Sequence, residues 1–371
     1  MYSGFSRFLS VLSASAILLS ACSPGAEAAS VQPEDRQFFA MTTIMELKAY
    51  GTMSDAALDE AEDKIHDLDN LLSVGNKGSE VWQINHDEGG ILSDDTAALT
   101  EASLNLYQET GGAFDFTIYP IMDLWGFTRL FDVSQAEGAE TEENTGALSE
   151  NERLLDSVPT KDQISAVLPH VGSSKVSYDQ TEKKLALPGG TRIDFGGIAK
   201  GYASQQVMDI FKAHGLTGGL ANLGGNIQIC GKKPDGNPWR IGIEDPEDTS
   251  ATIGILSLTS DAAVITSGGY ERYLTDRNGK HYSHIIDPAT GYPVDNDLSS
   301  VTIVCNDGTL ADGLSTSLCV MGKDKAISFW KKHSDQFDMI LLDTDRKITI
   351  SEGLEDSFKA DAFDVSIVKA G

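Results

Sequence analysis

The amino-acid sequence predicts an α+β fold with mainly antiparallel sheets flanked by helices. Helical and strand patterns are segregated along the chain, and hairpin-like pairs of short strands outnumber strand–helix–strand units. Of the 371 residues, 40% are hydrophobic, which is enough for a substantial core. The length allows one large domain with two lobes or two ordinary domains.

Four long segments have the apolar spacing of helices. In the first, Ser54 occupies a favourable N-cap position before Ala57 and Leu58. In the second, Asp94 and Asp95 suit the positive end of the helix macrodipole. The predicted helices cover residues 54–72, 93–110, 199–215 and 310–321, the last ended by Gly322, with shorter helices at 160–171 and 325–333.

The intervening segments have strand patterns. Residues 38–51 alternate between apolar and polar side chains and are expected to form an opening strand. Residues 191–195 are predicted to form a strand that runs into a tight turn at Gly196 and Gly197. Further strands are predicted within residues 175–187 (a hairpin), 219–230, 239–243, 253–257, 263–266, 280–286, 301–305, 339–342 and 347–350.

Residues 1–21 have the features of an export signal. A single Arg7 precedes an apolar run that is too short and too rich in serine for a good membrane span. The run ends in Leu19-Ser-Ala-Cys22, which resembles a bacterial lipobox, whose cysteine becomes lipid-modified. An ordinary secretory signal with a chance cysteine is the alternative. We therefore expect an extracytoplasmic protein that is anchored to the cell membrane by lipid on Cys22.

The rest of the chain is predicted to have three parts. Residues 22–36 are small and polar and are expected to form a flexible tether. Residues 37–355 form the folded domain, which carries an exposed acidic insertion at about 134–151 without apolar periodicity. Residues 356–371 are expected to be a C-terminal tail.

Composition excludes one class of partner. The chain has 56 acidic and 28 basic residues and a formal net charge of −28, so it lacks the basic surface that nucleic acids require. An acidic protein that binds a phosphorylated ligand needs a cation between the two negative charges, which makes a metal plausible. Cys230, Cys305 and Cys319 lie in apolar contexts and are expected to be buried, with room for one disulfide and without a metal cluster.

The segment 284–294 combines reactive and rigid residues. Its two prolines fix φ and Gly291 permits positive φ, which predicts a stiff turn at the end of a buried strand. A stiff loop that carries His284 and Asp287 is a typical place for catalytic groups. A purely structural turn capped by Asp287 explains the same residues equally well.

Two further segments carry groups that suit an anionic ligand or a metal. Residues 194–201 place two glycines before a predicted helix, whose free N–H groups suit an anion, although a turn that packs a helix on a sheet is commoner. On a later helix, Asp312, Ser315 and Thr316 share one face, and hard oxygens of this kind bind Mg²⁺ or Ca²⁺. An N-cap aspartate with two exposed hydroxyls is the alternative.

Together and in this order, these segments resemble the ApbE family of flavin transferases, that is, FAD:protein FMN transferases. The lipobox is also usual in the family. The resemblance covers about residues 41–353. The matching segments are Gly111-Gly-Ala-Phe-Asp115 with Pro120, Asp194–Tyr202, Asn222–Asn226, Ser267–Tyr270, His284–Gly291 and Ala311–Thr316.

The resemblance implies a two-lobed architecture and Mg²⁺-dependent transfer of FMN from FAD to a serine or threonine of a partner protein, with release of AMP. The implied acceptors are exported domains of membrane redox proteins. His284 is expected to deprotonate the acceptor hydroxyl, because an imidazole titrates near the working pH. The implied FAD contacts are Met41, Gly75, Ala113, Phe114, Asp115, Asp194, Lys200 and Ile286, and the implied Mg²⁺ ligands are Asp312, Ser315 or Thr316, and the Gly197 carbonyl.

Two positions depart from the family pattern. Many members have an aspartate in place of Ser315, so the metal is expected to be held more weakly or with help from Asp287. Many members also have a tyrosine in place of Gly75, where its ring can stack on the flavin. A loosely held flavin leaves open FAD hydrolysis to FMN and AMP as an alternative activity. A flavin-binding lipoprotein without turnover is a third interpretation, disfavoured by the helix-borne oxygens together with His284.

Overall fold

The computed structural model describes residues 32–128, 152–155 and 157–371. The predicted export signal, Cys22, most of the predicted tether and the acidic insertion at 134–151 lie outside the described residues. The α+β class and the mainly antiparallel pairing of the strands are confirmed. Within the described ranges, no helix is both long enough and apolar enough to cross a membrane.

Helices in the described residues match the predicted long helices closely and add two that the sequence patterns missed, α2 and α4. Short 3₁₀ turns also occur at Leu168–His170, Ser173–Lys175 and Glu352–Leu354. The α-helices are α1 (Ser54–Leu72), α2 (Glu80–Asp87), α3 (Asp94–Glu109), α4 (Tyr119–Trp125), α5 (Lys161–Val167), α6 (Ala199–Ala213), α7 (Gly308–Met321) and α8 (Lys323–Trp330).

The strands are short and most are joined as hairpins. In chain order they are β1 (Glu34–Ala40), β2 (Thr43–Tyr50), β3 (Gly89–Ile91), β4 (Glu152–Leu154), β5 (Ser177–Asp179), β6 (Lys184–Ala186), β7 (Gly218–Leu223), β8 (Asn226–Gly231), β9 (Trp239–Asp245), β10 (Asp248–Leu258), β11 (Ala262–Gly268), β12 (Tyr273–Thr275), β13 (His281–Ser283), β14 (Ile286–Asp287), β15 (Tyr292–Pro293), β16 (Leu298–Cys305), β17 (Asp338–Asp343), β18 (Ile348–Ser351), β19 (Phe358–Lys359) and β20 (Val365–Val368).

A nine-stranded sheet organises the molecule, with the strand order β1-β2-β7-β8-β11-β16-β17-β18-β20. Its pairings are antiparallel except for the parallel pair of β18 and β20. Helices α1, α6 and α7 pack on one face. A small sheet of β19, β10 and β9 shares a second hydrophobic core with the other face.

Both faces of the large sheet are buried in its centre, and β17 shows how. Met339 and Leu341 belong to the core under the helices, whereas Ile340 and Leu342 belong to the core under the small sheet. Successive side chains of a strand point to opposite faces, so a strand buried on both sides needs an unbroken apolar run. The sequence of β17 satisfies this requirement.

The predicted boundaries of the folded domain are wrong at both ends. Strand β1 begins at Glu34, inside the segment 22–36 that was expected to be a tether, and pairs with β2. Residues 356–371, expected to be a tail, contribute β19 and β20 to two sheets. Phe358 is 4% exposed in the core under the small sheet, and this burial explains why the C-terminal segment is ordered on the fold.

Two predicted strands also differ from the structure. Residues 38–51 contain a hairpin in place of one strand, because the chain reverses at Met41 and Thr42, which have φ values of 46° and 63°. Residues 191–195 do not form a regular strand. They contribute one isolated bridge, from Arg192 to Ile118. The alternation of side chains cannot distinguish one strand from two when the turn residues are not glycine.

Candidate active site

A cavity of about 810 Å³ lies where the turn between β1 and β2, the loop after α1 and the start of α6 face the loop after β13 and helix α7. It brings together residues that are far apart in the sequence. Twelve of the thirteen predicted site residues line it: Met41, Gly75, Ala113, Phe114, Asp115, Asp194, Gly197, Lys200, His284, Ile286, Asp312 and Thr316. The thirteenth, Ser315, is not among the lining residues.

Asp312 enters the cavity because α6 and α7 approach each other closely. The main-chain N–H of Gly201 donates to Asp312 Oδ2 at 2.7 Å, and Asn226 Nδ2 donates to Oδ1 at 3.1 Å. The N-cap of α7 is Asp307, which excludes the interpretation of Asp312 as a helix cap. Burial raises the pKa of Asp312, and the nearby charge of Lys200 and the two hydrogen bonds oppose the shift.

Thr316 and Gly197 line the cavity together with Asp312, whereas Ser315 does not line it. A Cβ added at Gly197 would lie 3.5 Å from Thr316 Oγ1, so this loop and α7 are in contact. The buried Ser315 hydroxyl donates to the Asp312 carbonyl at 2.8 Å and lies 2.7 Å from Ser267 Oγ. Of the two hydroxyls predicted as alternative ligands, Thr316 is the one that faces the cavity.

The environment of His284 fixes its tautomer. Both its main-chain N–H and its Nδ1 face the carbonyl oxygen of Arg272, at 3.1 and 3.0 Å. A carbonyl only accepts hydrogen bonds, so Nδ1 carries the proton and Nε2 keeps a free lone pair. Burial lowers the pKa of His284 to about 4, and the charges of Arg272 and Lys200 act in the same direction. The imidazole is therefore neutral near pH 7 and able to accept a proton.

The loop that carries His284 is also the stiff turn that the sequence predicts. Asp287 accepts hydrogen bonds from the Ala289 N–H at 2.9 Å and the Thr290 hydroxyl at 3.0 Å, and Gly291 has a φ of 73°. Trp125 Nε1 donates to the Gly291 carbonyl at 2.9 Å and ties the turn to α4. Asp287 thus caps its own turn and is not among the residues that line the cavity, so the structure gives no support to its use as a replacement metal ligand.

The two predicted aspartate contacts differ in how their carboxylates are used. Asp115 accepts four hydrogen bonds, from the N–H and hydroxyl groups of Thr117 and Ser173, at 2.6 to 3.1 Å. Asp194 accepts only one protein hydrogen bond in the described residues, from Gly196 N–H at 2.7 Å, and burial raises its pKa. Asp194 is thus better placed than Asp115 to contact a ligand through its side chain.

Glu271 and Arg272 are charged residues of the cavity that the sequence does not predict as site residues. They follow directly on the segment Ser267–Tyr270, so the missed signal was a pair of opposite charges next to a matched motif. Burial raises the pKa of Glu271 to about 7, although the charges of Lys200 and Arg272 oppose the shift. The guanidinium of Arg272 donates to Thr42 Oγ1 at 3.1 Å.

The oxygen atoms that Asp312, Thr316 and Gly197 bring to the cavity lining suit hard cations such as Mg²⁺, Ca²⁺ or Mn²⁺ better than metals that prefer nitrogen or sulfur ligands. The described residues contain no group of three or more His, Cys, Asp or Glu side chains that could hold a metal without other ligands. Asp312, the Thr316 hydroxyl and the Gly197 carbonyl offer hard oxygens, and Mg²⁺ usually combines one or two carboxylates with waters and substrate phosphates. Such a donor set binds its metal mainly together with a phosphorylated ligand.

Fold and cavity together define an α+β enzyme whose site combines a neutral imidazole, a hard-oxygen cluster and a lysine for an anionic ligand. Comparison with known sequences makes the class specific: the profile of the ApbE family matches residues 41–341, so the chain belongs to that family.

Curated relatives and solved structures agree with this assignment. The FAD:protein FMN transferase of Haemophilus influenzae is 30% identical over 76% of this chain and 77% of its own length. The enzyme of the same name from Treponema pallidum is 28% identical over 81% of each chain. The crystal structure of the ApbE protein of Thermotoga maritima superposes with a TM-score of 0.75 at 30% identity, over 87% of this chain and 98% of that one. The flavin transferase ApbE of Vibrio cholerae gives a TM-score of 0.72 at 27% identity, over 88% and 99%.

Proposed function

We propose that this protein transfers the FMN moiety of FAD to a hydroxyl group of a partner protein and releases AMP. The observation that carries the proposal is the shared cavity, in which His284, with an unprotonated Nε2, lies together with Asp312, Thr316 and Lys200. Phosphoryl transfer needs positioning, charge neutralisation and a base near the nucleophile, and these residues supply all three.

The proposed reaction uses the chain's own groups as follows. His284 Nε2 takes the proton of the acceptor serine or threonine, and the hydroxyl oxygen forms a bond to the phosphorus of the FMN half of FAD. The bond from that phosphorus to the bridging oxygen breaks, and AMP leaves with the electron pair. Lys200, in the first turn of α6, balances negative charge on the pyrophosphate. The imidazolium then returns its proton to solvent or to the leaving phosphate.

We propose Mg²⁺ as the metal of this site, held by Asp312, Thr316 and the Gly197 carbonyl. When bound, it would neutralise charge on the pyrophosphate during transfer. The contribution of the protein is to hold Asp312 in place through Gly201 and Asn226.

We further propose that Cys22 carries a lipid and that the acceptors are exported domains of membrane redox proteins. The lipobox-like sequence before Cys22 supports the anchor. A lipid anchor would bring this site and membrane-bound acceptors into the same layer.

FAD hydrolysis is the second candidate, because one wall of the cavity is open. A Cβ added at the cavity residue Gly75 would have no heavy atom within 4 Å. Water could enter beside the flavin there and compete with the acceptor hydroxyl.

One assay separates the two activities. The protein is incubated with FAD, Mg²⁺ and an exported flavoprotein domain, or the same domain with its acceptor residue changed to alanine. Fluorescent labelling of the first domain only, with AMP released in equal amount, is expected. Free FMN and AMP without labelled protein would show hydrolysis in place of transfer, and unchanged FAD would leave only binding.

Two pairs of variants test the assigned roles. His284→Ala is expected to bind FAD but lose transfer, whereas His281→Ala, which changes an exposed histidine stacked on Tyr273, keeps normal transfer. Asp312→Asn is expected to shift the Mg²⁺ titration to higher concentration. Asp307→Asn, which keeps a hydrogen-bond acceptor at the N-cap of the same helix, is expected to leave the titration unchanged. Normal transfer by His284→Ala, or an unchanged Mg²⁺ titration of Asp312→Asn, would refute that assignment.

A further inference from the structure

Arg272 contacts two parts of the cavity that are far apart in the sequence, His284 and the turn between β1 and β2. Its carbonyl oxygen accepts both hydrogen bonds from His284, at 3.1 and 3.0 Å. Its guanidinium donates to Thr42 Oγ1 at 3.1 Å, across 230 positions of sequence. One residue therefore contacts the proposed base through its main chain and the turn between β1 and β2 through its side chain.

The turn that Arg272 contacts has an unfavourable backbone. Met41 and Thr42 have φ values of 46° and 63°, and both line the cavity. Positive φ is uncommon outside glycine, asparagine and aspartate, and for a β-branched residue such as threonine it is a genuine outlier. A two-residue turn of this kind normally contains asparagine or glycine. Strain of this kind persists only where the surrounding structure holds it, and it is concentrated at ligand sites.

We propose that Arg272 is a positioning residue that holds the Met41–Thr42 turn against bound FAD and keeps this turn in register with His284. The inference rests on the proposed function, because it assumes that FAD occupies the cavity. The side chain of Met41 is the part of the turn that contacts the ligand. The hydrogen bond from Arg272 to the Thr42 hydroxyl holds the turn in place. Glycine or asparagine would ease the turn, but neither offers the threonine hydroxyl to the guanidinium.

The first test removes the Thr42 hydroxyl without changing the shape of the side chain. Thr42→Val should weaken FAD binding about tenfold, the effect of one hydrogen bond to a charged group, or about 1.4 kcal/mol. The rate of transfer at saturating FAD should stay near the wild-type value, because the main-chain contact between Arg272 and His284 is intact. Thr42→Ser restores the hydroxyl and should restore affinity, and Thr43→Val makes the same change at a residue that does not line the cavity.

A double-mutant cycle tests whether the two side chains act as a unit. FAD affinity is measured by quenching of flavin fluorescence for wild type, Thr42→Val, Arg272→Met and the double variant. If the hydrogen bond is the means of positioning, Thr42→Val should lose most of its effect once Arg272 is already methionine. Urea unfolding of each variant identifies any that fail to fold, and Thr42→Ala, which also lacks the hydroxyl, replaces Thr42→Val in the cycle if that variant does not fold.

The outcomes are distinguishable from failure of the proposed function. Wild-type protein that binds no FAD would refute the proposed function itself. If Thr42→Val binds FAD as tightly as the wild-type protein, or if the two substitutions have additive effects in the cycle, the role of Arg272 is overturned while the proposed function stands. A loss of affinity in Thr43→Val equal to that in Thr42→Val would also overturn it, because the effect would then belong to the hairpin and not to the hydrogen bond.

Discussion

Replacing Gly201 with alanine should damage the site through the packing of two helices. A Cβ at this position would lie 2.9 Å from the Gly308 carbonyl carbon and closer still to its oxygen and to Asp312 Cβ. Carbon atoms pack at about 3.5 to 4.0 Å, so α6 and α7 would have to separate by about 1 Å to relieve the closer contact with Asp312 Cβ. The same movement stretches the hydrogen bond from Gly201 N–H to Asp312 Oδ2, now 2.7 Å.

The expected magnitude follows from two opposing effects. Overpacking at a close contact costs about 1–3 kcal/mol. Alanine gains about 1 kcal/mol over glycine within a helix. We therefore expect a net loss of about 0–2 kcal/mol in the free energy of unfolding. Transfer activity should fall further than stability does, by about 10- to 100-fold, because a misplacement near 1 Å is enough to disturb catalytic geometry.

Urea unfolding and the rate of FAD-dependent labelling measure the two effects. Gly90→Ala is the matched control, since a Cβ there would lie only in ordinary contact, 3.6 Å from Ile84. The reasoning is refuted if Gly201→Ala keeps wild-type stability and activity, or if Gly90→Ala loses as much of both.

Three further predictions concern single residues of the cavity. Gly75→Tyr fills the open wall and should tighten FAD binding by about 1 kcal/mol through ring stacking, with less free FMN formed per labelled acceptor; unchanged affinity in a binding titration would contradict this. The pKa of Glu271 is about 7 in the folded protein, whereas its ordinary value is 4.5. The free energy of unfolding of the ligand-free wild type should therefore fall by up to about 3 kcal/mol as pH rises from 4.5 through 7. Glu271→Gln should abolish that loss, which thermal melts at pH 5 and pH 8 would show; parallel curves for the two proteins would reject it. Asp115→Asn places an amide among four donors and should destabilise the fold by about 1–3 kcal/mol in urea, whereas Asp123→Asn on the neighbouring helix should not.

Local patterns predicted the helices well, because the spacing of apolar residues and the capping residues both lie within a short stretch of sequence. Helix α1 was predicted with its observed ends, and α3 and α7 within two residues. The detail of the caps was less secure: Ser54 lies inside the first turn, where its hydroxyl donates to the Gly51 carbonyl. Helices α2 and α4 were missed because each is shorter than three turns and lacks an extended apolar repeat.

Long-range contacts could not be predicted from such patterns. Nothing near Ser315 in the sequence indicates that its hydroxyl lies 2.7 Å from that of Ser267, 48 positions away. The saturation of Asp115 by Ser173 is equally invisible, because these residues are 58 positions apart. The resemblance to a family identified which residues meet, but only the fold showed which of their atoms remain available.

The position of β1 has a consequence for the reach of the enzyme. This strand runs from Glu34 to Ala40, directly before the cavity residue Met41, and spans about 20 Å. Between the proposed lipid-bearing Cys22 and Glu34, a fully extended chain covers at most about 40 Å. The catalytic centre would then work within a layer about 60 Å deep above the bilayer. Acceptor hydroxyls presented in that layer would meet it by diffusion in two dimensions, whereas a protein free in solution would first have to enter the layer.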